Sequence, residues 1–201
     1  MKEYNVGILA SASESNFQNE DVANNYKSLA KGISDYLATS GFNLVFGGSP
    51  ESMTGKCYEA FNMRDKIIYA YTTEEYQDDF ERMPDAFGMV CDSTFDVKKH
   101  IFDVSDIIVA LPGGIGTYSE ILSFIEEKRS NKKDIPIEIY DEEGYMSSML
   151  IETLKIMETK GFVDDSVYGL FSVSHNFEEF EEHMDKHIAN IIAKNAGGMQ
   201  K

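Results

Sequence analysis

Short apolar runs and amphipathic helical segments alternate along almost the whole chain, and that alternation limits the possible folds more than any other feature of the sequence. Strands are predicted over residues 4–10, 42–46, 66–71, 87–91, 106–111 and 135–140, with a short one near 170–173. Helices are predicted between and after them, over 21–39, 52–63, 95–104, 116–129, 144–160 and 177–194. The first helix places Val22, Tyr26, Leu29, Ile33, Tyr36 and Leu37 at helical spacing and stops at Ser40-Gly41. Residues 72–86 are polar and acidic and read as an irregular segment, and residues 130–133 as the exit from a helix. Strands that are apolar almost throughout belong to parallel sheets covered on both faces. Strands separated by helices belong to crossover units. The predicted fold class is therefore α/β, a doubly wound parallel sheet with helices on both faces. One domain over residues 1–194 is predicted, with a frayed tail at 195–201.

In an open parallel sheet, ligands bind beyond the carboxyl ends of the strands. Two glycine clusters fall at such ends. Leu111-Pro112-Gly113-Gly114-Ile115-Gly116-Thr117 follows the fifth strand and opens a helix. Its glycines permit a tight turn and let an anion approach the amides, and the helix N-terminus adds about half a positive charge. Gly113, Gly114, Gly116 and Thr117 are therefore candidate phosphate-binding residues. Glu120, three residues beyond Thr117, has two readings: a capping-box carboxylate, or an acid facing the ligand edge one turn above the cradle. The second cluster, from Gly47-Gly48 to Gly55, and the Ser11-Ala12-Ser13 segment after the first strand are candidate further walls of the pocket. Gly47, Gly48, Ser11 and Ser13 join the candidates for nucleotide binding.

An anion cradle built from backbone matters here because the chain carries 35 acidic and 18 basic residues, a net charge of −17. A field of that sign repels nucleic acid and anionic membrane, so neither is predicted as a partner. No apolar run approaches the roughly 18 residues of a membrane span. The N-terminus runs straight into a strand without a signal-like stretch, which points to the cytoplasm. Cys57 and Cys91 make no disulfide framework and no metal motif, and buried free thiols are expected. His100, His175, His183 and His187 are scattered and read as surface or packing residues. The acidic residues Glu74, Glu75, Asp78 and Asp79 read as a solvated segment rather than a cation site.

Pro112-Gly113-Gly114-x-Gly116-Thr117-x-x-Glu120 resembles the signature of the LONELY GUY family, whose members long carried the label lysine decarboxylase-like. The likeness continues through Phe46-Gly47-Gly48-Ser49 to Gly55, through Asp92-Ser93 to Ser105-Asp106, and from Pro136 to the last helix, covering residues 4–185. It implies a Rossmann-like homodimer that cleaves the N-glycosidic bond of an AMP-type nucleoside 5′-monophosphate. The products would be ribose 5-phosphate and a free base, an N6-substituted adenine in cytokinin-activating members. No cofactor and no metal is expected.

On this resemblance Glu120 and Lys98 are the expected catalytic residues. The family's Glu-Arg-Lys, before the fifth strand, stands here as Asp96-Val97-Lys98, and Val97 lacks the donors of the arginine. Lys99 is rotated about 100° from it on a helix. Ser49 replaces a glycine and Thr54 a methionine. Two functions stay open: a phosphoribohydrolase, or a catalytically weak nucleotide-binding or sensor protein on the same scaffold. Amino-acid decarboxylation would call for pyridoxal phosphate on a Schiff-base lysine. Lys98 is the only lysine near the expected pocket, and its neighbours in sequence do not suggest a pyridoxal site.

Overall fold

A computed structural model describes residues 3–14, 17–130 and 133–198. Among these residues, seven strands form one sheet: β1 (Tyr4–Leu9), β2 (Phe42–Phe46), β3 (Ile68–Thr73), β4 (Phe87–Cys91), β5 (Ile107–Ala110), β6 (Ile137–Tyr140) and β7 (Ser172–Ser174). Six helices cover it: α1 (Glu20–Thr39), α2 (Ser52–Asn62), α3 (Thr94–Val104), α4 (Ile115–Arg129), α5 (Tyr145–Thr159) and α6 (Phe177–Gly198). Every strand pair is parallel, in the order β4-β3-β2-β1-β5-β6-β7. The α/β doubly wound class read from the sequence is the observed one.

Strand side chains alternate between two cores. Val6, Ile8, Leu44, Phe46, Ile107 and Val109 face α1, α2 and α6, through residues such as Ile33, Phe61 and Phe180. Leu9, Val45, Ile108, Ala110, Ile137 and Ile139 face α3, α4 and α5, through Ile101, Phe124 and Leu150. Burial on both sides is why the central strands read as continuous apolar runs, whereas the edge strand β4 is exposed except at Cys91. Local signals set the helix ends. Asn19 caps α1 by accepting from the Val22 amide, and Gly41 leaves that helix at φ +95°. Ser93 caps α3, and Asp96 bonds back to its hydroxyl.

Several boundaries differ from the sequence reading. Strand β3 continues through Thr72 and Thr73, and residues Glu74–Arg82 form a 3-10 helix rather than an irregular segment. Phe80 anchors that helix. A Cβ on Gly88 would meet its ring at 2.9 Å, and one on Gly48 at 3.3 Å, so the two glycines make its seat. A second 3-10 segment, Asp165–Leu170, precedes β7, which therefore starts later than expected. Helix α6 continues past Lys194 to Gly198. Residues 131–132 of the predicted helix exit and 199–201 of the predicted tail lie outside the described residues. Both cysteines are free and buried, as expected.

Candidate functional site

The strand order reverses at β1, which pairs with β2 on one side and β5 on the other. Loops leaving β1 and β5 diverge there and open a crevice at the carboxyl edge of the sheet. The Ser11–Ser13 segment and the Pro112–Thr117 turn are those two loops. A cavity of about 890 Å³ occupies the crevice. Of the candidates, Ser11, Ser13, Gly47, Lys98, Gly114, Gly116, Thr117 and Glu120 line it. Gly113 lines a smaller adjoining cavity, and Gly48 lines neither. At φ +62°, with Phe80 beside it, Gly48 serves the backbone turn after β2 instead.

Helix α4 begins at Ile115 with Gly114 as its N-cap, and no side chain caps the first amides. Thr117 is thus the third helical residue and Glu120 the sixth. The capping-box reading of this pair does not hold, because a capping box needs its hydroxyl at the N-cap. A Cβ on Gly113 would lie 2.2 Å from Thr117 Oγ1, so only glycine lets the turn fold over the helix start. Cβ atoms on Gly114 or Gly116 would meet nothing within 4 Å. The backbone there is open to an approaching anion. The N-terminus of α2 is differently used: the amides of Met53 and Thr54 both donate to the Ser11 carbonyl, at 3.1 and 3.4 Å. That bond braces the β1 loop against α2.

Glu120 faces the cavity from α4. Burial pushes its carboxyl up to about 7, and the charge of Lys98 opposes the shift only in part. Lys98 reaches over from α3 and donates to Ser119 Oγ at 2.8 Å. Val97 also lines the cavity. Lys99 turns away, pairs with Asp103 and is exposed, as its helical position requires. Sequence reasoning did not single out Ser119, Thr72, Thr73, Tyr76 or Thr94 as lining residues. The rule that sites gather at strand ends points to Thr72 and Thr73, but only once β3 is taken to its true end.

The histidines do pack, and two of them pack on a group that the sequence reading passed over. Glu138, in the middle of β6, is fully buried. It accepts from Ser174 at 2.7 Å and from Ser172, and lies 3.1 Å from His183 Nδ1 and 3.2 Å from His187 Nε2. Burial raises its carboxyl, but these hydrogen bonds outweigh burial and hold it below the usual range. His100 stacks on Tyr71 with ring centres 5.1 Å apart, and His175 Nδ1 lies 2.8 Å from the Asp141 carbonyl. Among the described residues, no group of three or more His, Cys, Asp or Glu is placed to hold a metal ion, and no helix is long and apolar enough to cross a membrane.

Fold and crevice together define an open, doubly wound α/β protein with a glycine-rich turn at its topological switch point. The family model described as "Possible lysine decarboxylase" matches residues 65–184, and the chain belongs to that family. This is the LONELY GUY family of the sequence resemblance. The cytokinin riboside 5′-monophosphate phosphoribohydrolase LOG5 of Arabidopsis thaliana is 24% identical over 181 residues, covering 88% of this chain and 78% of that protein. Among solved structures, the molybdenum cofactor carrier protein of Chlamydomonas reinhardtii superposes with a TM-score of 0.66 at 14% identity, over 94% of this chain and 99% of that one. The molybdenum cofactor binding protein of Rippkaea orientalis gives 0.62 at 13%, over 94% and 99%. At such identities these structures speak for the fold alone.

Proposed function

We propose that the protein is a nucleoside 5′-monophosphate phosphoribohydrolase, hydrolysing an N-glycosidic bond to release a free base and ribose 5-phosphate. The observation that carries this reading is the placement of Glu120: a half-buried carboxylate, pushed up to about 7 by desolvation, one turn beyond an open glycine turn in a nucleotide-sized cavity. In the proposed complex the 5′-phosphate rests on Gly113, Gly114, Gly116 and Thr117. The ribose then extends along α4 toward Glu120. Cleavage develops positive charge on the ribose ring, and a carboxylate beside it stabilises that charge and orients the attacking water. Lys98, held by Ser119, keeps part of the Glu120 population ionised and helps to bind the sugar phosphate. The named activity of the Arabidopsis relative supports the same chemistry. The reading includes a single cytoplasmic domain acting as a homodimer, an AMP-type ligand, and no part for nucleic acid or membrane.

Val97 favours a second reading, a nucleotide-binding or sensor protein that turns over slowly. It puts an apolar side chain on the cavity wall where the family has an arginine. One experiment separates the two. The protein is incubated with AMP and N6-substituted AMPs, and released base is measured by chromatography. Release that disappears in Glu120→Ala establishes the hydrolase. Tight binding without release establishes the sensor, and absence of binding by every nucleoside monophosphate overturns both.

A further inference from the structure

A second cavity of about 320 Å³ adjoins the first. The two share Ser11, Ser13 and Gly114, so the β1 loop and the anion turn form a partition between them. The walls of the small chamber differ from those of the large one. Phe17 and Tyr26 stack in it with ring centres 5.8 Å apart at 23°, and Val22, Pro112 and Tyr145 add apolar and aromatic surface, with Gln18 as a polar neighbour. Tyr145 donates to the Gly113 carbonyl at 2.8 Å, which fixes one wall to the anion turn itself. None of these aromatic residues has a part in the chemistry proposed above.

The side on which this chamber lies decides what it can take. If a nucleotide's phosphate sits on the turn and Glu120 serves its glycosidic bond, then ribose and base fill the large cavity. The small chamber then faces the opposite side of the phosphorus, where a monophosphate has only a bare oxygen. A group can enter it only by being joined through the phosphate. Stacked rings and apolar neighbours suit a flat aromatic group. The chamber does not suit further free phosphates, because Tyr26 donates its hydroxyl to the Glu143 carboxylate at 2.9 Å and so brings negative charge to that wall.

We infer that the cleft accepts nucleoside diphosphate esters, with an AMP-type half on the Glu120 side of the anion turn and a second aromatic group between Phe17, Tyr26 and Tyr145. This rests on the proposed placement of the nucleotide and extends the ligand class from monophosphates to dinucleotides. Affinities of the full-length chain for AMP, ADP, N6-benzyl-AMP and diadenosine diphosphate, measured by calorimetry, test it. Diadenosine diphosphate is expected to bind at least tenfold more tightly than AMP, and ADP no more tightly than AMP. Phe17→Ala, which removes one ring, and Val22→Trp, which fills the chamber, are each expected to abolish that advantage while AMP affinity stays within twofold. Should either variant fail to fold, the other and the wild-type ligand series still decide. If AMP binds but diadenosine diphosphate gains nothing, the inference is overturned and the monophosphate reading survives. If instead N6-benzyl-AMP shows the gain and Val22→Trp removes it, the chamber belongs to the base side and the inference is again overturned. If none of the four binds, the underlying reading falls with it.

Discussion

Two glutamates, Glu120 half-buried at the cavity and Glu138 fully buried in β6, have surroundings that pull their carboxyls in opposite directions. Glu138 is enclosed by two serines and two histidines that bridge β6, β7 and α6, and their hydrogen bonds hold its carboxyl low. Glu120 is desolvated without comparable donors among the described residues: the charge of Lys98 opposes the shift, and the carboxyl rises to about 7. A fully partnered buried acid behaves as part of the architecture. An acid left short of partners beside an open cavity keeps its interactions for something that arrives later. The difference is useful because residue type does not distinguish the two, whereas the donors around each carboxyl do.

The largest effect that tests this contrast is on turnover. Glu120→Ala should lower base release by about a thousandfold, roughly 4 kcal/mol of transition-state stabilisation, with the fold intact by circular dichroism. In the wild type, activity that needs the ionised carboxylate should rise as pH increases through about 7. Glu138→Ala should do the converse. It strands two imidazoles and two hydroxyls, and is expected to cost about 3 kcal/mol in urea unfolding, leaving turnover per folded molecule within twofold. Because the folded state holds the Glu138 carboxyl below its unfolded value, its contribution is present above the unfolded carboxylate pKa. It is lost as pH falls through the lower, folded value. A Glu138→Ala protein as stable as wild type at neutral pH would break the comparison.

A smaller effect has the opposite sign. Glu120 binds its proton more tightly folded than unfolded, from 4.5 up to about 7, so its ionisation weakens the fold as pH rises across that window. Glu120→Gln should therefore stabilise the ligand-free protein at pH 8 by about 2 kcal/mol, after allowance for partial solvent access. Little gain is expected at pH 4, where both states are protonated. Melting temperatures at the two pH values check this, and an equal shift at both would show that Glu120 carries no buried-charge penalty. The smallest change expected is in Val97→Arg. A guanidinium at the cavity wall should raise base release from AMP by about tenfold, about 1.4 kcal/mol. No rise would remove Val97 as the reason for slow turnover.

How far the sequence reveals this contrast follows from the range of the interactions involved. The sheet was legible because burial on both faces writes continuous apolar runs, and the Glu120 side was legible because the glycine turn and the carboxylate share one short motif. Glu138 was not legible. In Ile137-Glu138-Ile139-Tyr140 a lone acid looks like the outward residue of an alternating strand, and its partners lie on β7 and α6. The 3-10 helix after β3 was missed for a similar reason. Its anchor, Phe80, sits against Gly48 and Gly88, from two other loops and strands, while its own composition is acidic and polar. Ser119 and Thr94 were missed because a hydroxyl on a helix start or face has no sequence signature until a cavity gives it a direction.

The partition between the two cavities comes from opposite halves of the sequence, joined where Leu9 lies beside Ala110. Neither half can present a partial binding site by folding locally. A ligand held at this seam therefore opposes whole-chain unfolding rather than the fraying of one element, with its binding free energy added to global stability. The seam also depends on a long-range strand pairing, a contact whose loop closure makes it slow to form. A newly made chain should gain its ligand affinity late, together with its last resistance to proteolysis, and time-resolved refolding would register the two as one event.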